Sequence, residues 1–78
     1  MRRADKRIRY HEHAERRLAE RGVSKEHVAR SLRQPEVERP AKREDARRFE
    51  KAISRKRRVV VIAEERATEF WVISAWWN

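Results

Sequence analysis

Two apolar runs in the last third of the chain constrain the fold most. The stretches "RVVVIAEE" and "EFWVISAWWN" carry β-branched and aromatic residues at consecutive positions, so both faces of each strand are apolar, as in a central strand. Ahead of them, "RRFEKAI" alternates, with Phe49 and Ile53 on one face, which predicts an outer strand. The three runs together predict an antiparallel sheet.

The first half of the chain carries two short segments with helical spacing. In residues 12–21, Ala14 and Leu18 form an apolar pair, and Gly22 is placed to end the helix. Both apolar residues fall on one side of such a helix, which therefore has one buried face.

The second helix has a clear start and a clear end. Ser24 is the expected N-cap, Val28 and Leu32 form the buried pair, and Pro35 closes the helix. The following segment "EVERPAKRED" has no periodicity, and we interpret it as a loop or a short edge connection.

These elements predict a single α+β domain over residues 1–78. Two N-terminal helices pack on one face of a small antiparallel sheet of three to four strands, and residues 1–9 form a basic N-terminal segment that can be flexible. The two helices would cover one face of this sheet, and the sequence indicates only in part what covers the other face.

Charge and cysteine content limit the function classes. The chain has 22 Lys and Arg against 13 Asp and Glu, a formal net charge of +9, which makes nucleic acid the leading partner class ahead of acidic proteins and anionic lipid. With no cysteine, it can form neither a disulfide nor a thiolate metal site.

No stretch has the length of a membrane span or the pattern of a signal peptide, so we expect a cytoplasmic protein. Abundant Arg and Glu with few Asn, Gln and Met are typical of heat-adapted proteins, and an idealised designed protein has a similar composition.

A stripe of His13, Arg17 and Arg21 follows one side of the first helix. It borders the apolar seam, so packing along the arginine stems would orient the guanidinium groups for bidentate contacts with a phosphate. The alternative is a solvated face, in which Arg21 complements the helix dipole and Arg17 pairs with a nearby carboxylate.

Several stretches resemble the domain-of-unknown-function 4258 family. They are "HAERRLAERGVSKEHVARSLRQPE", "RRFEKAI", "RRVVVIAE" and "FWVISAWW". The matching positions are His13, Arg17, Arg21 with Gly22, Val23, Val28, Leu32 with Pro35, and the closing strands. That family is similar in layout to the RelE-like ribonuclease toxins, so the resemblance implies a RelE-like fold and RNA cleavage.

The resemblance also implies a reaction and its residues. The RNA 2′-hydroxyl attacks the adjacent phosphate without a metal or other cofactor, and a cyclic phosphate remains. His13 would act as base or acid, because imidazole titrates near neutrality, while Arg17, Arg21 and Arg48 would hold the phosphate. Further nucleic-acid contacts are assigned to Arg16, Arg47, Lys51, Arg57 and Ser74. RelE-like enzymes often use a C-terminal tyrosine, where this chain has Trp76 and Trp77.

The other candidate groups have simpler interpretations. On a helix, His11 and His13 diverge by about 200°, so a metal pair is disfavoured. His27 is interpreted as a surface residue, and Glu64 and Glu65 as strand-terminal carboxylates that face water.

The tryptophans allow two interpretations. Aromatic residues beside basic ones can stack on single-stranded bases, but packing in a core or an interface is favoured here, because the last strand is apolar on both faces. Unbroken alternation divides that strand into two faces: Phe70, Val72 and Trp76 on one, and Trp71, Ile73 and Trp77 on the other.

Three classes of function follow. The first is a ribonuclease toxin that an acidic antitoxin protein neutralises. The second is a nucleic-acid-binding module without catalysis. The third is a partner-binding protein that forms a homodimer through the tryptophan-rich C-terminal strand.

Overall fold

The protein is a five-stranded sheet with two helices on one face. The computed structural model describes residues 1–43 and 45–78. In chain order the elements are a short 3-10 helix (Arg3–Asp5), β1 (Arg7–Tyr10), α1 (Ala14–Glu20), α2 (Lys25–Arg33), β2 (Val37–Pro40), β3 (Arg47–Ser54), β4 (Arg57–Glu65) and β5 (Glu69–Trp77).

The sheet is mixed and has the order β1-β5-β4-β3-β2. β5, β4, β3 and β2 pair antiparallel, whereas β1 pairs with β5 in parallel. The prediction of a RelE-like antiparallel sheet of three to four strands is therefore wrong. Strand β3 is also not an outer strand, because β2 covers its far side.

The two short edge strands account for this error. The basic segment 1–9 holds the short 3-10 helix and most of β1, and the segment interpreted as a loop contains β2. Residue 44, in the same segment, lies outside the described residues. Both edge strands are only four residues long. In β1, Ile8 and Tyr10 alternate with arginines, but this is a single apolar pair inside a basic segment, and β2 is largely exposed and has no apolar alternation.

The hydrophobic core lies between the helices and the sheet. α1 packs on β5, and α2 packs on β3 and β4. The fully buried apolar side chains of this layer include Val28, Leu32, Phe49, Val61 and Phe70. The predicted buried pairs of both helices lie in this layer or beside it, since Ala14 and Leu18 are also buried.

Two helix ends that the sequence indicated, the start of α2 and the end of α1, are confirmed. The Ser24 hydroxyl accepts a hydrogen bond from the His27 backbone N–H at 3.2 Å and so caps α2. At the end of α1, Gly22 has a φ of +68°, and the Val23 N–H donates to the Leu18 carbonyl at 2.9 Å. This bond and the Gly22 N–H bond to the Ala19 carbonyl form a Schellman cap, which needs a left-handed residue.

We expect Gly22→Ala to lower the free energy of unfolding by about 1 kcal/mol, because a Cβ is disfavoured at positive φ. A Cβ at this position would meet no atom within 4 Å, so backbone conformation alone sets the cost. Gly22→Asn should cost less, since asparagine tolerates this conformation. Urea unfolding curves of both variants provide the measurement, and an equal loss for the two would contradict this explanation.

A network of ion pairs closes one end of the core. Arg3 donates to Glu65 at 3.0 and 2.9 Å and also binds Glu38. Lys6 donates to Glu65 at 2.9 Å, and both basic groups lie over buried aromatic rings. The N-terminal segment is thereby attached to strands β2 and β4.

Candidate nucleic-acid interface

The candidate interface lies on the face of the sheet opposite the helices. Side chains alternate along a strand, so the neighbours of the buried residues Phe49, Val59, Val61 and Phe70 point away from the helices. We call this surface the open face, and its members on the central strands are Arg48, Glu50, Val60, Ile62, Glu64, Trp71 and Trp76.

A bulge in β5 brings two tryptophans to the open face. Ile62 pairs with Ser74, but the next residue of β4, Ala63, pairs with Val72, so β5 contains one extra residue. Trp76 therefore shares a face with Trp71, and Trp77 packs against the core. The prediction that Trp76 lies with Phe70 and Val72 is wrong, because it assumed unbroken alternation.

Trp76 lies beside a concavity with mixed apolar and basic walls. The Arg48 guanidinium carbon lies 5.5 Å from the centroid of the Trp76 ring. The concavity has a volume of about 640 Å³. Its apolar lining comes from Pro40, Ala41, Ile62 and Trp76, and its basic lining from Arg39, Lys42, Arg43 and Arg48. An apolar cavity with cationic walls suits a flat, weakly polar group attached to an anion.

A buried carboxylate organises the arginines near Trp76. Glu50 is 4% exposed and accepts hydrogen bonds from Arg39 at 2.7 Å, from Arg48 at 2.8 Å and from Arg58 at 3.4 Å. The hydrogen bond from Arg39 is the largest cause that holds the pKa of Glu50 below its ordinary value, against the effect of burial. Arg58 also lies 3.5 Å from Glu36, so three positive charges meet two negative charges. The cluster keeps a net positive charge while its guanidinium groups are held in place.

The second tryptophan lies at the other end of the open face. The Trp71 ring centroid is 5.1 Å from the guanidinium carbon of Arg9, 5.2 Å from that of Arg66, and 5.3 Å from the His11 ring. The Trp71 indole N–H donates to Glu69 at 2.9 Å, which fixes the orientation of the ring.

A histidine and a carboxylate are paired beside Trp71. His11 Nε2 lies 2.7 Å from Glu64 Oε1, and the Arg66 guanidinium donates to the same oxygen at 3.3 Å. Glu64 is 8% exposed, so the prediction that it simply faces water is wrong.

The two tryptophans form one surface with a definite spacing. Trp71 is opposite Glu64 and Trp76 is opposite Val60, so the two tryptophans are four positions apart along β4. At about 3.3 Å per residue, this corresponds to roughly 13 Å along the sheet.

The predicted catalytic residues lie in two separate places. His13 is the N-cap of α1, has a side chain that is 55% exposed, and lies 3.6 Å from the Glu12 carboxylate. Arg17 is exposed on α1, which packs on β5. Arg48 lies two strands away on β3 and on the opposite face, so the structure does not bring it to His13.

Two of the predicted residues do meet. Arg21 donates to the Ser74 hydroxyl at 2.9 Å and to the Ala75 carbonyl at 3.0 Å. These bonds attach the end of α1 to β5 beyond the part that β1 pairs. They give Arg21 a structural role, whereas its predicted contact with a phosphate stays a prediction.

The remaining predicted nucleic-acid contacts do not form one surface. Arg47 lies 3.4 Å from Glu38, Lys51 donates to the Gln34 carbonyl at 3.0 Å, and Arg57 lies 3.9 Å from the centroid of the Trp77 ring. Arg16 is exposed on α1. His27, interpreted from sequence as a surface residue, is half-buried against the edge of Trp77.

Sequence reasoning missed several residues of the open face. It assigned no functional role to His11, Glu50, Glu64 or Arg66. Glu50 and Glu64 left a usable signal, since each follows an apolar residue inside a predicted strand, at a position where a charge needs a partner. The identity of their partners could not be predicted from local patterns, because His11 and Glu64, for example, are 53 positions apart in the sequence.

A protein-family model described as "Domain of unknown function (DUF4258)" matches residues 10–77. The chain belongs to this family. The resemblance to DUF4258 is thus confirmed, while its further extension to RelE-like proteins has no support. No curated protein and no solved structure matches the chain.

The DUF4258 match includes most of the open face. It begins at Tyr10, so it contains His11, Glu64, Trp71 and Trp76 but not Arg9. Among residues 1–43 and 45–78, no helix is both long enough and apolar enough to cross a membrane. In the same residues, no three metal-ligating side chains come together.

Proposed function

We propose that this DUF4258 protein binds single-stranded RNA across the open face of its sheet. The observation that carries the proposal is the pair of tryptophans about 13 Å apart on one face, each with arginine over its ring. We place the protein in the cytoplasm, where such strands are abundant.

Stacking is the first source of affinity. A base on an aromatic ring contributes about 1–3 kcal/mol, and an exposed base face is available only in a single strand, because a duplex covers it. Trp71 and Trp76 are both partly exposed, and both are held by neighbouring groups. A strand that stacks on both rings would therefore lie along β4 and β5.

Phosphate contacts are the second source. Arg39, Arg48 and Arg58 surround Glu50 near Trp76, while Arg9 and Arg66 lie near Trp71. Guanidinium groups bind phosphate oxygens through two parallel hydrogen bonds, and the net charge of +9 adds a long-range attraction. Affinity should therefore fall by about tenfold or more when salt rises from about 50 to 200 mM.

Measured affinity for a single-stranded RNA of about 12 nucleotides tests the proposal. We expect Trp76→Ala to weaken binding by about 1–3 kcal/mol, or roughly 5- to 150-fold, because it removes a stacking surface. Trp76→Phe keeps an aromatic ring and should lose less. Fluorescence anisotropy of labelled RNA gives the affinities.

A matched pair of arginine variants locates the interface. Arg48→Ala and Arg16→Ala remove the same charge, but only Arg48 lies on the open face. We expect the first to weaken binding more than the second. The reverse order would move the interface to α1, and absence of RNA binding by the folded wild type would refute the proposal. If the protein forms a complex only with a second copy of itself, the homodimer alternative is favoured. If it forms a complex only with an acidic protein, the antitoxin alternative is favoured.

A further inference from the structure

The His11–Glu64 pair has a geometry that RNA binding alone does not need. One ring nitrogen of His11 lies 2.7 Å from a carboxylate oxygen of Glu64, a residue that is 8% exposed. The imidazole is also packed against Trp71 and has a side chain that is 36% exposed. A histidine held by a carboxylate and open to solvent is the arrangement that enzymes use for proton transfer.

The pairing determines which nitrogen is basic. Because a carboxylate accepts hydrogen bonds, Glu64 holds the proton of neutral His11 on Nε2. The lone pair is then on Nδ1, for which the residues that the structure describes provide no hydrogen-bond partner. His11 can therefore take a proton from a bound ligand.

Cationic groups lie on the same side of the sheet as this base. Arg66 contacts both Glu64 and the Trp71 ring, and Arg9 lies over the same ring. A base stacked on Trp71 would bring its ribose and phosphate into the neighbourhood of His11 and the two guanidinium groups. Charge stabilisation and proton abstraction are thus available at one place.

We propose that His11 is the general base of a ribonuclease activity on the open face, and that Glu64 is its positioning residue. This inference rests on the proposed binding of RNA there. It replaces His13 as the catalytic histidine, because the His13 side chain pairs with the exposed carboxylate of Glu12, whereas His11 is held by the buried Glu64.

The step requires no co-reactant besides water. His11 Nδ1 takes the proton of a 2′-hydroxyl, O2′ forms a bond to the adjacent phosphorus, and the bond from phosphorus to O5′ breaks. The O5′ leaving group takes a proton from water, and the imidazolium later returns its proton to solvent. The products are a 2′,3′-cyclic phosphate and a 5′-hydroxyl end.

The test compares an RNA strand with the all-2′-deoxy strand of the same sequence, in EDTA. We expect the wild type to bind both strands and to cleave only the RNA, with cyclic-phosphate ends. His11→Gln retains a hydrogen-bond donor for Glu64 but has no basic nitrogen, so the cleavage rate should fall by about 100-fold or more. His13→Gln and His27→Gln, purified in parallel, are the matched controls and should cleave at the wild-type rate.

Glu64→Gln separates positioning from folding. If Glu64 orients His11, this variant lowers kcat by about tenfold or more and leaves KM and the affinity for the deoxy strand unchanged. A purely structural role would lower the melting temperature while the rate per folded molecule stayed the same, which would overturn the assignment.

The outcomes separate this inference from the proposed binding. RNA that is bound but stays intact would refute cleavage and leave the binding function in place. Cleavage that His11→Gln does not slow would refute His11 as the base. Failure to bind either strand would refute both proposals together.

Discussion

Phe49→Ala is expected to lower the free energy of unfolding by about 3–5 kcal/mol. Phe49 is fully buried in the middle of β3, and its ring meets the Phe70 ring edge to face, with centroids 5.8 Å apart. Arg3 covers the same ring, with its guanidinium carbon 5.5 Å from the centroid. Truncation removes the transfer free energy of a whole ring and leaves a cavity that the flanking strands cannot close.

Urea unfolding of the wild type, Phe49→Ala and Phe49→Leu provides the measurement. Leucine keeps most of the apolar volume, so that variant should lose substantially less stability than the alanine variant. Because Phe49 points toward the helices, RNA affinity of the folded alanine variant should stay close to that of the wild type. A loss below about 1 kcal/mol for Phe49→Ala would mean that this layer is not the core.

Acid should destabilise the protein through Glu65. The pKa of this carboxyl is lowered from 4.5 to about 2, first by its hydrogen bond from Arg3 and, after the opposing effect of burial, by the bond from Lys6. The same ion pair raises the pKa of Arg3, so both partners indicate the same interaction. The folded-state pKa lies below the unfolded one, so this stabilisation is present above about pH 4.5 and is lost as pH falls toward 2.

The expected loss from Glu65 over that pH range is at most about 3 kcal/mol. Urea midpoints between pH 7 and pH 2.5 measure it, and Glu65→Gln should show a flatter pH dependence, because its side chain does not titrate. Glu12→Gln, at a carboxylate that is 88% exposed, is the matched control and should follow the wild type. Equal slopes for the wild type and Glu65→Gln would show that this ion pair does not stabilise the fold.

Local sequence patterns correctly predicted the long elements. Strands β3, β4 and β5 are rich in apolar or β-branched residues, and both helices have caps within their own sequence, Gly22 for α1 and Ser24 for α2. Such signals act over a few residues, so they are present in the chain before it folds. The four-residue strands β1 and β2 have weaker patterns, because β1 carries one pair of alternating apolar residues, Ile8 and Tyr10, and β2 mostly faces solvent.

The composition of the binding surface could be predicted in part, but not its location. The basic residues indicated nucleic acid, but packing was favoured for the tryptophans, and the predicted catalytic residues lie in or beside α1 and on β3. The open face depends on the bulge beside Ile73, which changes the direction of every side chain after it in β5. The bulge is a feature of the pairing of β5 with β4, and neither strand alone indicates it.

The sequence by itself therefore determined the types of the long elements, the helix caps, the absence of cysteine chemistry and the positive charge of this protein, because each of these depends on single residues or short spacings. Only the tertiary structure decided the parallel pairing of β1 with β5, the shared face of Trp71 and Trp76, and the meeting of His11 with Glu64. These contacts join residues about 50 or more positions apart, or depend on the pairing between strands. They exist only after the helices and the sheet have packed together, because burial of the common core brings these distant segments to one place.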